Sequence, residues 1–531
     1  MFLTNKIDKY KKTIIFLFFL ILLSIGLSSV KDYGTTNDEY TQRLKGLITL
    51  NYVGNLFLPN ITKKFKADKE LPSFEDVPEQ LRYYGGSIIH APLAFFEVLL
   101  GIKDKKNVFL FKHYLFFLIY FLSLICFFEI IRKRFKSWKY GFLGVLVLFF
   151  TPRIFANSFY NNLDMPFMAF TIISVNFGIR LIENIKFKNI FLFSFFSAIA
   201  IDVRLMAILI PSIFSVTLFF NGIKKNNILS SLKIILILFL LTLLMTILFW
   251  PFLWDNPLTN LVNVFKNLAN HPLDINTFYL GEILNVKNIP WHYVFVWIFI
   301  TTPIIYILTF FLGLSLFIKN TFQIVPSKIN YIDIIFLLIL FIPILIVILL
   351  GSTLYNGWRH LYFVYPFLVF FIVYGVYFFS DFKNFFKINI FLIILFLGII
   401  DTAFWMTKNH PHQYVFFNRV IAKNAYKNFE LDYMAASYKE NLEYLIKNED
   451  KKSYKIWNSS ETKLFYPLFS LKDSERTKII ESEKNEAEYW ITNYYFDRQS
   501  YNDEFLNNYE LLNEIIVDGN KINSLFKKKL N

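Results

Sequence analysis

Apolar residues fall in long unbroken runs along this chain, and the polar residues gather in the gaps between them. Runs such as Thr13 to Val30, Ile234 to Trp250 and Ile332 to Leu350 approach or reach the roughly 20 residues that cross a hydrocarbon core. The pattern predicts about eleven membrane helices, near 13–30, 107–131, 139–151, 165–184, 189–201, 204–221, 231–251, 293–317, 331–350, 361–379 and 388–405. The third, fifth and sixth are short, so their ends need cover from protein or from a water-filled cavity. The expected fold class is a polytopic α-helical membrane protein with a small α/β domain behind it.

Two regions break the pattern. The first long gap, 31–106, mixes polar stretches with apolar pieces at Leu47 to Leu58 and Ile88 to Leu100. Both are too short to span and are expected to lie in the interface, with a re-entrant segment as the alternative for the second. After Met406 the chain turns charged and mixed, which predicts a soluble domain over 406–531 behind a membrane module over 1–405. Helix-like spacing runs from Tyr426 to Asn448, and Ser453 to Trp457 and Glu488 to Tyr494 are β-prone. Tyr509 to Val517, Asp518-Gly519 and Asn520 to Phe526 form the pattern of a tight hairpin.

Composition agrees with this reading: 55% of the 531 residues are hydrophobic and only 18% are charged, against roughly 25% in a soluble domain. A net charge of +15 would suit nucleic acid, but its distribution points elsewhere. Lysine and arginine collect in alternate gaps, at Lys6–Lys12, Arg132–Lys139, Arg180–Lys188, Lys224–Lys233, Lys319–Lys328 and Lys383–Lys387, which marks those gaps as cytoplasmic. The N-terminus is then inside and the C-terminal domain outside. A cleavable signal peptide competes for the first run alone, but the run is long and no small-residue cleavage site follows it. The lone Cys126 excludes a disulfide framework or a cysteine metal site.

Charged groups at the ends of membrane helices are costly to keep and raise the question of function. Thr35 to Tyr40 holds Asp38 and Glu39, either a general base or the cap of a helix. Thr151 to Pro166 holds Arg153 and Asp164, the latter also well placed to cap a helix carrying Pro166 in its first turn. Asp202-Val203-Arg204 interrupts an apolar run, where the two charges either satisfy each other or offer the arginine to a phosphate. Tyr355 to Tyr362 places Arg359 and His360 among aromatic residues, an arrangement suited to an anion. His410 and His412 lack a third clustered ligand and read as a surface turn.

In this order the clusters resemble those of the membrane glycosyltransferases of the GT-C class. More narrowly, they are similar to bacterial members of the protein O-mannosyltransferase family, family 39, the phospholipid-carrier-dependent glycosyltransferases. The residues that carry the resemblance are Asp38-Glu39, Pro152-Arg153-Ile154-Phe155, Asn161-Asn162-Leu163-Asp164-Met165-Pro166, Arg359-His360 before Pro366, and His410 to Asn418 with Phe429 to Tyr433. Met434-Ala435-Ala436 departs from it, standing where an aromatic residue and a glycine are expected.

The resemblance implies an inverting transfer of a sugar from a polyprenyl-phosphate carrier to a lipid, glycan or protein acceptor at the outer face of the membrane, and the lysine and asparagine bias suggests an AT-rich bacterial genome and so an inner membrane. Asp38 maps to the catalytic base. Arg204, Arg359 and His360 are the candidates to neutralise the leaving phosphate, with Arg153 a further substrate contact, and Glu39 and Asp164 would orient hydroxyls. No cofactor is assigned, and a divalent ion joining Asp38 and Glu39 is left open. A transporter or flippase of lipid-linked sugars, or an oligosaccharide ligase or polymerase, would use the same substrates. A transporter should show paired half-chain repeats with broken helices, and none is visible.

Overall fold

The computed structural model describes residues 10–62, 86–269, 274–323, 330–379, 390–496 and 503–529. Each predicted apolar run is helical. In chain order the helices are α1 (Lys11–Ser29), α2 (Asn37–Phe57), α3 (His90–Leu99), α4 (Lys105–Phe135), α5 (Trp138–Phe149), α6 (Pro152–Tyr160), α7 (Asp164–Glu183), α8 (Phe187–Val203) and α9 (Leu209–Lys224). They continue with α10 (Ile228–Phe249), α11 (Pro257–Ala269), α12 (Tyr293–Thr301), α13 (Ile304–Gln323), α14 (Tyr331–Leu349), α15 (Tyr365–Phe379) and α16 (Ile390–Lys408).

Among the described residues, nine helices are long and apolar enough to cross a membrane by themselves, and a tenth crossing counts α5 and α6 together. The expected count of about eleven included 189–201, which is helix α8 and has only 17 residues. The third run ends at Thr151, where Pro152 lacks the N–H that would continue the helix, and the chain turns by 72° into α6. The eighth run, 293–317, is likewise two helices parted at Thr302-Pro303. On α10, Leu236, Leu240, Leu244 and Leu248 stand exposed at a four-residue spacing, a stripe that only lipid would cover. The chain is therefore a multi-pass membrane protein.

The apolar piece 47–58 is not a separate element but the second half of the 21-residue helix α2, while 88–100 is the short helix α3. These two helices pack on each other, and an ionic group fastens them to α4. Glu97 accepts from Arg43 Nε at 3.0 Å and pairs with Lys112 Nζ at 3.2 Å, all three buried. Burial raises the affinity of the Glu97 carboxyl for its proton, but the two cations outweigh it and hold the group below the usual carboxylate range.

Beyond α16 the chain forms a five-stranded sheet in the order β4-β3-β5-β7-β6. Its strands are β3 (Tyr454–Asn458), β4 (Ile479–Glu481), β5 (Tyr489–Thr492), β6 (Tyr509–Val517) and β7 (Asn520–Lys528). β3 runs parallel to β4 and β5, whereas β5, β7 and β6 are antiparallel. The hairpin turns at Asp518-Gly519, both left-handed, as Asp-Gly favours. The expected helix over 426–448 is two pieces, a single turn at Ala425–Asn428 and α17 (Tyr438–Asn448). Residues 429–436 run across the junction instead, because Phe429 bridges to Tyr279 of a second hairpin, β1 (Asn276–Tyr279) and β2 (Glu282–Asn285).

Candidate active site

Helix α2 begins at Asn37 with Thr36 as its N-cap. Thr36 donates its backbone N–H to Glu39 Oε1 at 2.8 Å, and the other Glu39 oxygen lies 2.8 Å from His113 Nε2 of α4. Glu39, expected from the sequence to orient a hydroxyl, is 2% exposed and occupied with closing the first turn and pinning α2 to α4. Asp38 has no capping duty. Its side chain is one third exposed, and Oδ2 lies 2.5 Å from Arg359 Nη1.

The turn 161–164 supplies the second carboxylate. Asn161 Oδ1 accepts the backbone N–H of Asp164 at 2.9 Å, and its Nδ2 donates to Asp164 Oδ2 at 3.0 Å, which fixes the start of α7. Asp164 is buried, pairs through Oδ1 with Arg204, and lies 3.6 Å through Oδ2 from Arg359 Nη1. Asp38, Arg359, Asp164 and Arg204 form one alternating chain of charge. They come from α2, from the 3₁₀ turn Arg359–Val364 leading into α15, from α7, and from the residue closing α8. Two anions and two cations cancel, as groups leaving water beside apolar helices must.

Their exposure divides the roles. Arg359, expected from the sequence at a wet edge, is 3% exposed and holds both carboxylates from behind, with its guanidinium 5.3 Å from the Tyr355 ring centre. Arg204 is about one quarter exposed. His360 is half-buried beside them, its ring 4.7 Å from that of Tyr355. Arg204 does not pair with Asp202, the other possibility left by the sequence. Asp202 instead accepts the backbone N–H of Gly86 through its carbonyl at 2.6 Å and that of Ile88 through Oδ2 at 3.0 Å, clasping the chain at residues 86–88.

Arg153 stands apart from this chain. It is 1% exposed, donates through Nε to the Phe416 carbonyl at 3.0 Å, and lies over the rings of Phe417 and Trp297 at 4.7 and 5.3 Å. Those contacts hold α6 to the segment after α16. Asp38 and Glu39 turn to different partners, so they do not form a shared cation site. Among the described residues no cluster of three or more His, Cys, Asp or Glu side chains is placed to hold a metal. His410 and His412 likewise face separate carboxylates, Asp32 at 2.8 Å and Glu440 at 2.9 Å.

Sequence reading missed two neighbours of Asp38 on the same face of α2, Gln42 and Lys45, although the four- and seven-residue spacings were legible. Lys45 faces Asp202, and burial of both lowers the affinity of the ammonium for its proton and raises that of the carboxyl. His90 of α3 is also buried there and kept neutral, its pKa drawn down to about 3 by burial first and then by Lys45 and Lys112.

Comparison with known proteins adds a family-model match over part of the chain. Residues 93–250 match the family model described as dolichyl-phosphate-mannose-protein mannosyltransferase, a stretch that includes Arg153, Asp164 and Arg204. Among solved structures, the chain is similar to ArnT from Cupriavidus metallidurans in the apo state, at 8% identity with a TM-score of 0.46, covering 97% of this chain and 98% of that one. The same protein bound to undecaprenyl phosphate gives 9% identity and a TM-score of 0.46, over 96% and 97%. No curated protein sequence matches. The resemblance to the GT-C class membrane glycosyltransferases, in the protein O-mannosyltransferase type of that class, stands on the family match over 93–250.

Proposed function

We propose that this chain is an inverting glycosyltransferase that moves a sugar from a polyprenyl-phosphate carrier to a lipid, glycan or protein acceptor, with Asp38 as the base. The observation that carries the reading is the alternating chain Asp38–Arg359–Asp164–Arg204, in which the carboxylate at the open end is the reachable one. Asp38 takes the proton of the acceptor hydroxyl as that oxygen bonds to the anomeric carbon. The bond from that carbon to the carrier phosphate breaks on the opposite face, and the polyprenyl phosphate leaves with the electron pair. Arg359 aims Asp38 through their contact, and acts as a positioning residue. Arg204 is the better contact for the departing phosphate, because its exposed edge reaches outward while its buried edge stays with Asp164.

The membrane is a bacterial inner membrane in this reading, with the N-terminus inside and the sheet after residue 408 outside. The alternation of basic gaps supports it. The test of activity is direct: purified protein, a labelled polyprenyl-phosphate sugar, and an extract of envelope lipids and glycans as acceptor. Label should pass from carrier to acceptor with inversion at the anomeric carbon. Movement of intact carrier across proteoliposomes, without transfer, would replace this reading with the transporter.

A further inference from the structure

Three side-chain carbonyl oxygens around Asp38 are buried, and among the described residues no group donates to them: Asn37 Oδ1, Gln42 Oε1 and Asn162 Oδ1. Gln42 is 8% exposed and Asn162 2%. A buried acceptor without a donor costs free energy that a folded chain ordinarily recovers. Other amides nearby do recover it. Asn161 spends its oxygen on Asp164 and its nitrogen on Asn157 and Asp164, and Asn157 donates to the Arg153 carbonyl.

The orphaned acceptors sit against the base. Asn162 Nδ2 is 3.5 Å from the Asp38 carbonyl oxygen. Gln42 follows Asp38 by one turn on the same face of α2, about 6 Å along the axis, on the scale of a single sugar ring. Both are uncharged amides, each offering an acceptor and a donor, and a hydroxyl is the group that needs both. The charges of the site are already matched among Asp38, Asp164, Arg204 and Arg359, so a further anion or cation is not what these amides suit.

We infer that Gln42 and Asn162 form the subsite that reads the ring hydroxyls of the transferred sugar, so that the donor sugar is selected by its hydroxyl pattern and not by its charge. This inference rests on the transferase reading. A site built around a hydroxyl discriminates strongly against the analogue that lacks it, because its own buried polar groups are then left unpaired. A purely structural amide would not distinguish the two.

The experiment uses full-length protein in detergent with short-chain polyprenyl phosphates carrying a hexose, a pentose and each monodeoxy form of the accepted sugar. Wild type should favour the parent sugar over at least one deoxy form by about 10- to 100-fold in kcat/KM. Gln42→Leu and Asn162→Leu keep size and remove the amide, and each should bring its preferred ratio to within about threefold, chiefly by slowing the parent sugar. Thermal melting identifies variants that fail to fold; Gln42→Met and Asn162→Ala then carry the same comparison. Ratios unmoved by replacement at both positions overturn the subsite alone. A wild type that transfers from none of the donors overturns the transferase reading, and the subsite with it.

Discussion

Replacing Asp38 by asparagine separates chemistry from architecture at this site. The helix start does not depend on Asp38, because Thr36 and Glu39 close the first turn. The exchange therefore removes no cap. It does weaken the contact with Arg359, but the Asp38 side chain is one third exposed and Arg359 retains Asp164 at 3.6 Å. A pair so screened is worth about 0.2–1 kcal/mol, or a fall of a few degrees at most in Tm. The lost proton acceptor is a larger matter: a positioned base contributes about 10²- to 10⁴-fold, equal to roughly 2.7–5.5 kcal/mol in the barrier. Initial rates with a labelled lipid-phosphate sugar should fall by that factor, while donor still protects the variant against thermal unfolding. Turnover within threefold of wild type would refute Asp38 as the base, and Asp164 would be the next carboxylate to test.

Four further outcomes follow from the geometry. Glu39→Ala should lower Tm, by a loss of about 1–3 kcal/mol, because Thr36 loses its acceptor and His113 its partner, while the rate per folded molecule stays within a few-fold; a rate loss matching that of Asp38→Asn would place Glu39 in the chemistry. Arg153→Met should also lower Tm without changing the donor KM, and an altered KM with unchanged Tm would restore it as a substrate contact. Burial raises the Glu430 carboxyl to about 7 despite bonds from the Gly357 N–H at 2.7 Å and the Thr277 hydroxyl at 3.1 Å. Its folded form binds more protons than its unfolded form between about 4.5 and 7, so stability falls by up to about 1.4 kcal/mol per pH unit across that window as pH rises. Glu430→Gln should remove that slope and melt above wild type at pH 8; a wild-type Tm flat from pH 5 to 8 would contradict it. Reporter fusions after Lys136 and after Asp450 should give cytoplasmic and external signals respectively, and a cytoplasmic signal at the second would mean an even number of crossings and overturn the external placement of the C-terminal segment.

Hydropathy made the helices legible because lipid demands long apolar runs whatever the tertiary structure. It did not show where a run breaks. Pro152 and Pro303 each end a helix within an apolar stretch, a local backbone effect that a hydropathy window averages away. At the candidate site, residue types were readable but partners were not. Asp202 and Arg204 are two apart in the chain, yet one clasps the loop at 86–88 and the other pairs with Asp164, a choice made by packing. Thr36-x-x-Glu39 is a capping-box pattern, and in the sequence it is overshadowed by the acidic pair at its end. The hairpin at Asp518-Gly519 was visible from local turn chemistry, whereas the parallel pairing of β3 with β4 and β5 needs distant segments and left no local sign.

The four residues before α2 thread between the helices and the sheet-bearing segment. Tyr33 donates its hydroxyl to Gln413 Oε1 at 2.7 Å, and Thr35 donates its N–H to Ser470 Oγ at 2.7 Å. At Gly34 a β-carbon would stand 2.6 Å from the Ala436 carbonyl oxygen, so only glycine lets the two backbones pass this closely. Asp38 is therefore located from two sides, by α4 through Glu39 and by residues more than 370 positions later in the chain through Tyr33 and Thr35. The C-terminal segment is part of the mould in which that carboxylate is cast. A truncated chain ending near Lys408 would keep all four charged residues and lose the register between them, so an inactive truncation would say nothing about which segment meets the acceptor.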